Sequence, residues 1–286
     1  MHIPVLLDAA LSYLAVWEDG IYVDATAGLG GHTGAIAQRL RSGLVIACDR
    51  DAESLEIAKR NTAEVAGRIR WRHCAFSELR EALEAEGVPQ VDGLLADLGA
   101  SRHQLTEPSR GFSLSVDGPL DMRQDRSQEL TAAEIVNSIS EKQLADLIFR
   151  CGQERRSRKI AKAIVRARPI RSTLHLARVV EQAAFRTGRI HPATQTFMAL
   201  RIAVNDELGQ IEKLLELAPG VVRAPGRIVI ISFHSTEDRK VKQSFANLAR
   251  QGRARILTKH VVRPAEEEIR GNPAARSAKL RALEMR

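Results

Sequence analysis

Apolar positions follow two regimes along this chain. Up to residue 97, short apolar runs recur at 21–24, 44–48 and 91–97, each bounded by turn formers or charges, and they predict buried strands, with a further strand expected at 69–74. Between the second and third runs, Leu55 and Ala58 keep helical spacing, so 52–61 is predicted as a helix; another is expected from 6 to 14. Strands alternating with helices predict a parallel sheet covered on both faces.

From 98 to about 217 no strand is predicted. Residues 110–125 are rich in turn formers and charges and read as an ordered loop. Thr131 and Glu134 form a capping box that opens a helix expected to reach Phe149. Helical patterns follow over 172–187 and from His191 to Leu217, and two Ala-Pro-Gly triplets, at 218 and 224, punctuate the return. A fifth strand is predicted at 227–232, a helix through Val241, Phe245 and Leu248, and an antiparallel pair from 256–262 and 279–284. The fold class is therefore α/β, with an all-helical domain inserted between strands four and five. The expected boundaries are 1–105 and 218–286 for the sheet domain and 106–217 for the insertion.

The first strand runs into Asp24-Ala25-Thr26-Ala27-Gly28-Leu29-Gly30-Gly31-His32-Thr33-Gly34, an acid and a glycine-rich turn before a helix. Such a turn brings backbone close to a ligand at a helix N-terminus. It is not the dinucleotide fingerprint, which requires glycine where Thr33 stands. Asp49 follows strand two at the distance where a ribose is gripped. Asp24, Asp49 and Asp97 all end predicted strands, at the edge where open parallel sheets bind ligands. Phe76 either lies against an adenine ring or packs in the core. Two cofactors suit this edge. A nicotinamide dinucleotide brings phosphates and has Arg50 in its favour; S-adenosylmethionine is cationic and matches the acids. Charge complementarity favours S-adenosylmethionine.

Composition narrows the class. The chain has 286 residues, 44% hydrophobic and 27% charged, as in a soluble globular protein. No apolar run approaches a membrane span, and residues 1–8 lack the basic leader of a signal peptide. Cys48, Cys74 and Cys151 have neither metal-ligand nor disulfide spacing, so no metal and a cytoplasmic setting are expected. The net charge of +8 suggests a polyanionic partner. Nine of the residues from 150 to 171 are Lys or Arg, against one acid. Arg155, Lys159, Lys162 and Arg166 fall on one helical stripe that can follow a phosphate backbone. Arg276 and Lys279 supply a second basic patch. Aromatic residues at 4% argue against a base-stacking platform.

With these pieces placed, nearly the whole chain resembles the RsmH (MraW) 16S rRNA cytosine-N4 methyltransferases. The blocks that carry the resemblance begin with 2–8, 24–33, Asp97-Leu98-Gly99 with Gln104-Leu105, 110–113 and 118–123. They continue in order through 191–197, 200–205, Phe233-His234-Ser235, Glu237-Asp238-Arg239, and 272–281. The resemblance implies a Rossmann-like class I methyltransferase sheet with an inserted helical domain, S-adenosylmethionine as cofactor, and methylation of N4 of a cytidine in the decoding region of small-subunit rRNA, with a 30S particle as partner. It implies that Gly30, Gly31, His32, Asp49, Phe76, Asp97 and Gln104 line the cofactor site. The sequence departs from the family at Thr33, Arg102, Gln124 and 151–154, beside the pocket.

Asp97 is the first candidate to hold the attacking amine, with Ser101 and His234 behind it. Asp97 binding only cofactor, and His234 serving only as a cap, are the alternatives. Phe112 and Phe233 either stack on a base or pack in the core. Arg155, Lys159, Lys162, Arg166, Arg276 and Lys279 are the candidate RNA contacts. A phosphorylated-dinucleotide oxidoreductase and a non-catalytic RNA-binding assembly factor are the competing classes.

Overall fold

The computed structural model describes residues 4–184 and 191–286. His2, Ile3 and the expected end of the 172–187 helix lie outside the described residues. In chain order, α1 (Leu7–Leu14) precedes β1 (Ile21–Asp24), α2 (Gly31–Arg39), β2 (Leu44–Asp49), α3 (Ala52–Asn61), β3 (Ile69–His73), α4 (Leu79–Ala85) and β4 (Val91–Asp97). Then come α5 (Arg102–Thr106), α6 (Ala132–Ser138), α7 (Glu141–Gly152), α8 (Ser157–Arg166), α9 (Thr173–Ala183) and α10 (Thr194–Val204). The chain closes with α11 (Glu207–Val221), β5 (Val222–Ser232), α12 (Ser235–Arg250), β6 (Ala254–Ile256), α13 (Glu266–Gly271) and β7 (Lys279–Met285).

The strands form one sheet in the order β3-β2-β1-β4-β5-β7-β6. The pairs β2–β3, β1–β2, β1–β4 and β4–β5 are parallel; β7 runs antiparallel to both β5 and β6. The order reverses between β1 and β4, so their carboxyl ends flank the crevice where such sheets bind ligands. This is the Rossmann-like sheet that the sequence implies. Cys48 and Cys74, distant in sequence, meet at the β2–β3 edge, where a thiol–thiol hydrogen bond pushes Cys48 up and Cys74 down.

Two compact units result: residues 1–99 with 208–286, and residues 100–207. These boundaries lie N-terminal to the 105/106 and 217/218 expected from the sequence. The reason is packing. Ile211, Leu214, Leu215, Ala218 and Val221 of α11 are buried with β4 and β5 side chains in the sheet's core. That burial also carries α11 through Pro219, which the sequence reads as a helix stop.

The helical unit has its own core, with Ile135, Leu144, Ile148, Ile160, Ile164, Leu176, Val180, Phe197 and Leu200 among its members. The single helix expected over 131–149 is two. Ser140 starts a second capping box with Gln143, and that ends α6 at Ser138. The single pattern from 191 to 217 is also broken. Asn205 turns its side chain onto the carbonyls of Met122 and Arg201 and accepts the Gln124 N–H at 2.7 Å. The expected ordered loop is held by this clasp and by buried Arg110, whose Nη2 donates to the Arg123 and Gln124 carbonyls at 2.9 Å. Gly152 closes α7 against α10: a Cβ there would run into the Gln195 carbonyl and stand 3.1 Å from Ala199 Cβ. Gly152→Ala is expected to destabilise the protein by about 2 kcal/mol, read as a lowered urea midpoint; an unchanged midpoint would contradict this packing. Among the described residues, no helix is long and apolar enough to cross a membrane.

Candidate functional site

The site is built on the carboxyl ends of β1, β2, β4 and β5. Asp24 ends β1 and is fully buried. Its carboxylate accepts the Thr26 N–H at 3.1 Å and the Thr33 hydroxyl at 2.6 Å. Thr33 therefore has a role that glycine could not fill: it braces the first turn of α2 against β1. Burial raises Asp24 to a pKa of about 6 despite these bonds. The sequence casts Asp24 as a direct partner of a cationic ligand; the structure makes it an internal brace that contributes its field.

The glycines divide by what surrounds them. Gly30 caps α2 at φ 87°, and a Cβ there would stand 3.0 Å from Thr62 Cγ2 and 3.2 Å from Ala58. At Gly31 a Cβ would meet Pro4 Cγ at 2.5 Å. Both are glycine because protein packs against them. Gly28, at φ 51°, differs: a Cβ there would meet nothing nearer than the Thr26 carbonyl at 3.8 Å. Its open face is the part of the turn that a ligand can approach, which the motif alone does not reveal.

Asp49 ends β2 and ties this turn down. Its carboxylate accepts the N–H of Gly28 at 2.7 Å and that of Asp51 at 2.9 Å. Each oxygen keeps a second acceptor direction, enough for a ribose hydroxyl. Burial raises its pKa to about 6. Phe76 is half-buried and packs against the sheet's core.

Asp97 ends β4. Its N–H donates to the Thr26 hydroxyl at 2.6 Å, linking it to the glycine turn. Its Oδ1 is buried without a hydrogen-bond partner, and its Oδ2 lies 3.8 Å from His32 Nδ1. Burial, then the fields of Asp24 and Glu237, push the Asp97 carboxyl well above the usual range. His32 is itself buried, with Nε2 3.0 Å from the Val5 carbonyl.

His234 follows β5 at the N-cap of α12. Buried Glu237 accepts the N–H groups of Phe233 and His234 at 2.9 and 3.2 Å, and its other oxygen lies 2.8 Å from His234 Nε2. Glu237, absent from the candidate residues of the sequence, thus orients His234 and adds a further negative charge near Asp97. The signal was its place three residues after the N-cap. Phe233 packs against the core beside β5, and Phe112 is buried in the helical unit's core; both take the packing reading.

Ser101 and Gln104 belong to the helical unit, where they form a capping box on α5. Ser101 Oγ accepts the Gln104 N–H at 3.2 Å, and Gln104 Oε1 accepts the Ser101 N–H at 2.9 Å. Lys159, Lys162 and Arg166 are exposed on α8. They wall a groove of ≈ 490 Å³ whose apolar floor includes Ala163, Ala167, Val179 and Ala183. Arg155 is exposed too, but it lies in the turn before α8, because the helix starts at Ser157. Arg276 is exposed and Lys279 half-buried at the start of β7.

An unpartnered buried carboxylate oxygen, beside an open glycine face and in the field of further acids, fits a cationic nucleoside such as S-adenosylmethionine. It does not fit a pyrophosphate, which would add negative charge to this edge. The sheet order and this acid-lined turn define a Rossmann-like methyltransferase fold. The chain belongs to the MraW methylase family, whose pattern it matches over residues 1–286. It is 59% identical over 286 residues to ribosomal RNA small subunit methyltransferase H of Solibacter usitatus, covering 100% of both chains. The protein of that name in Acidobacterium capsulatum is 51% identical, covering 99% of this chain and 98% of its own. The one in Koribacter versatilis is 48% identical, covering 98% and 93%.

Proposed function

We propose that this chain methylates N4 of a cytidine in the decoding region of small-subunit rRNA, within a 30S particle in the cytoplasm, using S-adenosylmethionine. The observation that supports this most directly is the unpartnered Oδ1 of Asp97, in a chain with full-length relatives named for small-subunit rRNA methylation. When bound, S-adenosylmethionine supplies a methyl group activated by its sulfonium. Gly28 lets the ligand come close, and Asp49 accepts its ribose hydroxyls. Gly30, Gly31 and His32 shape the turn, and Phe76 offers an apolar edge to the base.

Cytosine N4 is a poor nucleophile because its lone pair is delocalised into the ring. An acceptor that holds its N–H groups turns the lone pair outward. Asp97 takes that role, and His234, oriented by Glu237, stands at the neighbouring strand end. Ser101 and Gln104 act by capping α5. The target base must leave its stack to be reached. Arg155, Lys159, Lys162, Arg166, Arg276 and Lys279 hold phosphates around it.

The test is transfer of labelled methyl from S-adenosylmethionine to small subunits that lack the modification. Label in their rRNA supports the reading, and unlabelled rRNA from a protein that binds the cofactor would favour the assembly-factor class. The basic stripe has its own test. Replacing Arg155, Lys159 and Lys162 together by glutamine is expected to flatten the plot of log affinity against log salt by about 2 to 3, at roughly 0.7–0.9 per phosphate contact. An unchanged slope would remove the stripe from the interface.

A further inference from the structure

His32 and Asp97 form a pair whose proton is set by a third group. The Val5 carbonyl, 3.0 Å from His32 Nε2, can only accept, so Nε2 carries a hydrogen in every state that keeps this bond. That leaves Nδ1 to face Asp97 Oδ2 at 3.8 Å. With neutral His32 and ionised Asp97, a nitrogen lone pair and a carboxylate would face each other in a buried setting. One proton between the two removes the conflict, as imidazole facing carboxylic acid or imidazolium facing carboxylate.

The other charges around Asp97 act in the same direction. Asp24 reaches it from β1 and Glu237 from α12, both acidic, and both favour keeping a proton on the pair. Asp49, at the end of β2, acts on Asp24 behind it. Among the described residues, no cation is among the groups that shift Asp97. A cationic ligand arriving at the strand ends changes the balance: it neutralises the field that held the proton, and it repels an imidazolium.

We propose that the His32–Asp97 pair holds one proton in the ligand-free protein and releases it to solvent when S-adenosylmethionine binds, leaving Asp97 ionised and ready to accept the N–H of the incoming amine. This rests on the cofactor reading above. His32 is then a positioning residue: through Val5 it fixes which nitrogen faces Asp97, and so where the proton sits. Loading of the cofactor and readiness of the acceptor become one event. Without cofactor the acid stays protonated, so an amine arriving first finds no carboxylate.

The test is calorimetric and needs no turnover. Titration of the full chain with S-adenosylmethionine at about pH 7, in buffers of different ionisation enthalpy, gives the number of protons exchanged; a release of about one is expected. S-adenosylhomocysteine, which keeps the ammonium but lacks the sulfonium charge, is the second ligand. Release with both assigns the effect to the ammonium, and release with S-adenosylmethionine alone assigns it to the sulfonium; either supports the proposal. Asp97→Asn is expected to bind without release, and His32→Gln, whose amide can still donate to Val5, to release a smaller fraction. Tight binding to the native protein with no proton exchanged would overturn the proposal and leave the cofactor reading standing. Undiminished release in Asp97→Asn would move the proton off this pair. Absence of any binding heat would overturn both.

Discussion

Asp97→Ala is expected to lower methyl transfer at saturating cofactor by about 10²–10⁴-fold, the range for losing a positioned proton acceptor. A thousandfold loss corresponds to about 4 kcal/mol of barrier. The expectation comes from what the carboxylate lacks. Its backbone N–H is tied to Thr26, but its Oδ1 is buried with no donor, and leaving a buried acceptor unmet costs about 1–3 kcal/mol. The fold carries that cost at the crevice between β1 and β4. Cofactor affinity, measured separately, divides the effect: a loss confined to turnover identifies Asp97 with the amine, and an equal loss in affinity identifies it with the cofactor. Near-native turnover would remove it from the chemistry.

The second large effect concerns pH and stability. Asp24→Asn is expected to gain about 2 kcal/mol relative to the native protein between pH 4 and pH 7.5. An ordinary aspartate ionises near 3.8, and burial raises Asp24 to about 6. The folded state therefore holds this proton more tightly than the unfolded chain. The resulting stability is fully present below about pH 3.8, falls as pH rises towards 6 and is gone above it. Asparagine fills the same space, still accepts the Thr26 N–H, and has an amide that can donate to the Thr33 hydroxyl, without a charge to bury. Urea unfolding of ligand-free native and variant proteins at the two pH values measures the difference. Parallel pH profiles would show that Asp24 is not the buried ionisable group described here. Asp49, raised to about 6 mainly by burial, adds in the same direction to the pH dependence common to both proteins.

How far the sequence could be read depends on the range of the interaction. Strands β1, β2, β4 and β5 are legible because each contains a local apolar run with a punctuated end. The strand-end acids are legible for the same reason, and with them the edge that carries the site. What depends on distant partners is not. Gly31 is glycine because Pro4 lies against it, and Gly28 is the open one; the motif presents them as equivalents. Thr33 looks like a lapse from a fingerprint until its hydroxyl is seen on Asp24. Helix α11 has the periodicity of its neighbours in the insertion, yet its apolar face packs on the sheet. Periodicity says that a face is buried, not against what. Gln104 stands in a family block and, with Ser101, also spells a capping box, which the structure forms.

The same contrast separates the two candidate surfaces. The cofactor edge is defined by buried, hydrogen-bonded groups whose geometry limits what can bind. The basic stripe proposed to hold RNA is defined by exposed charges, which would meet a polyanion without naming its sequence. Substrate identity therefore depends on the product more than on binding.

The most direct measurement is nucleoside analysis of small-subunit rRNA after incubation of unmodified small subunits with this protein and labelled S-adenosylmethionine. The expected result is label in N4-methylated cytidine, lost in the Asp97→Ala protein. Label in any other nucleoside, or none from protein that binds the cofactor, would contradict the account.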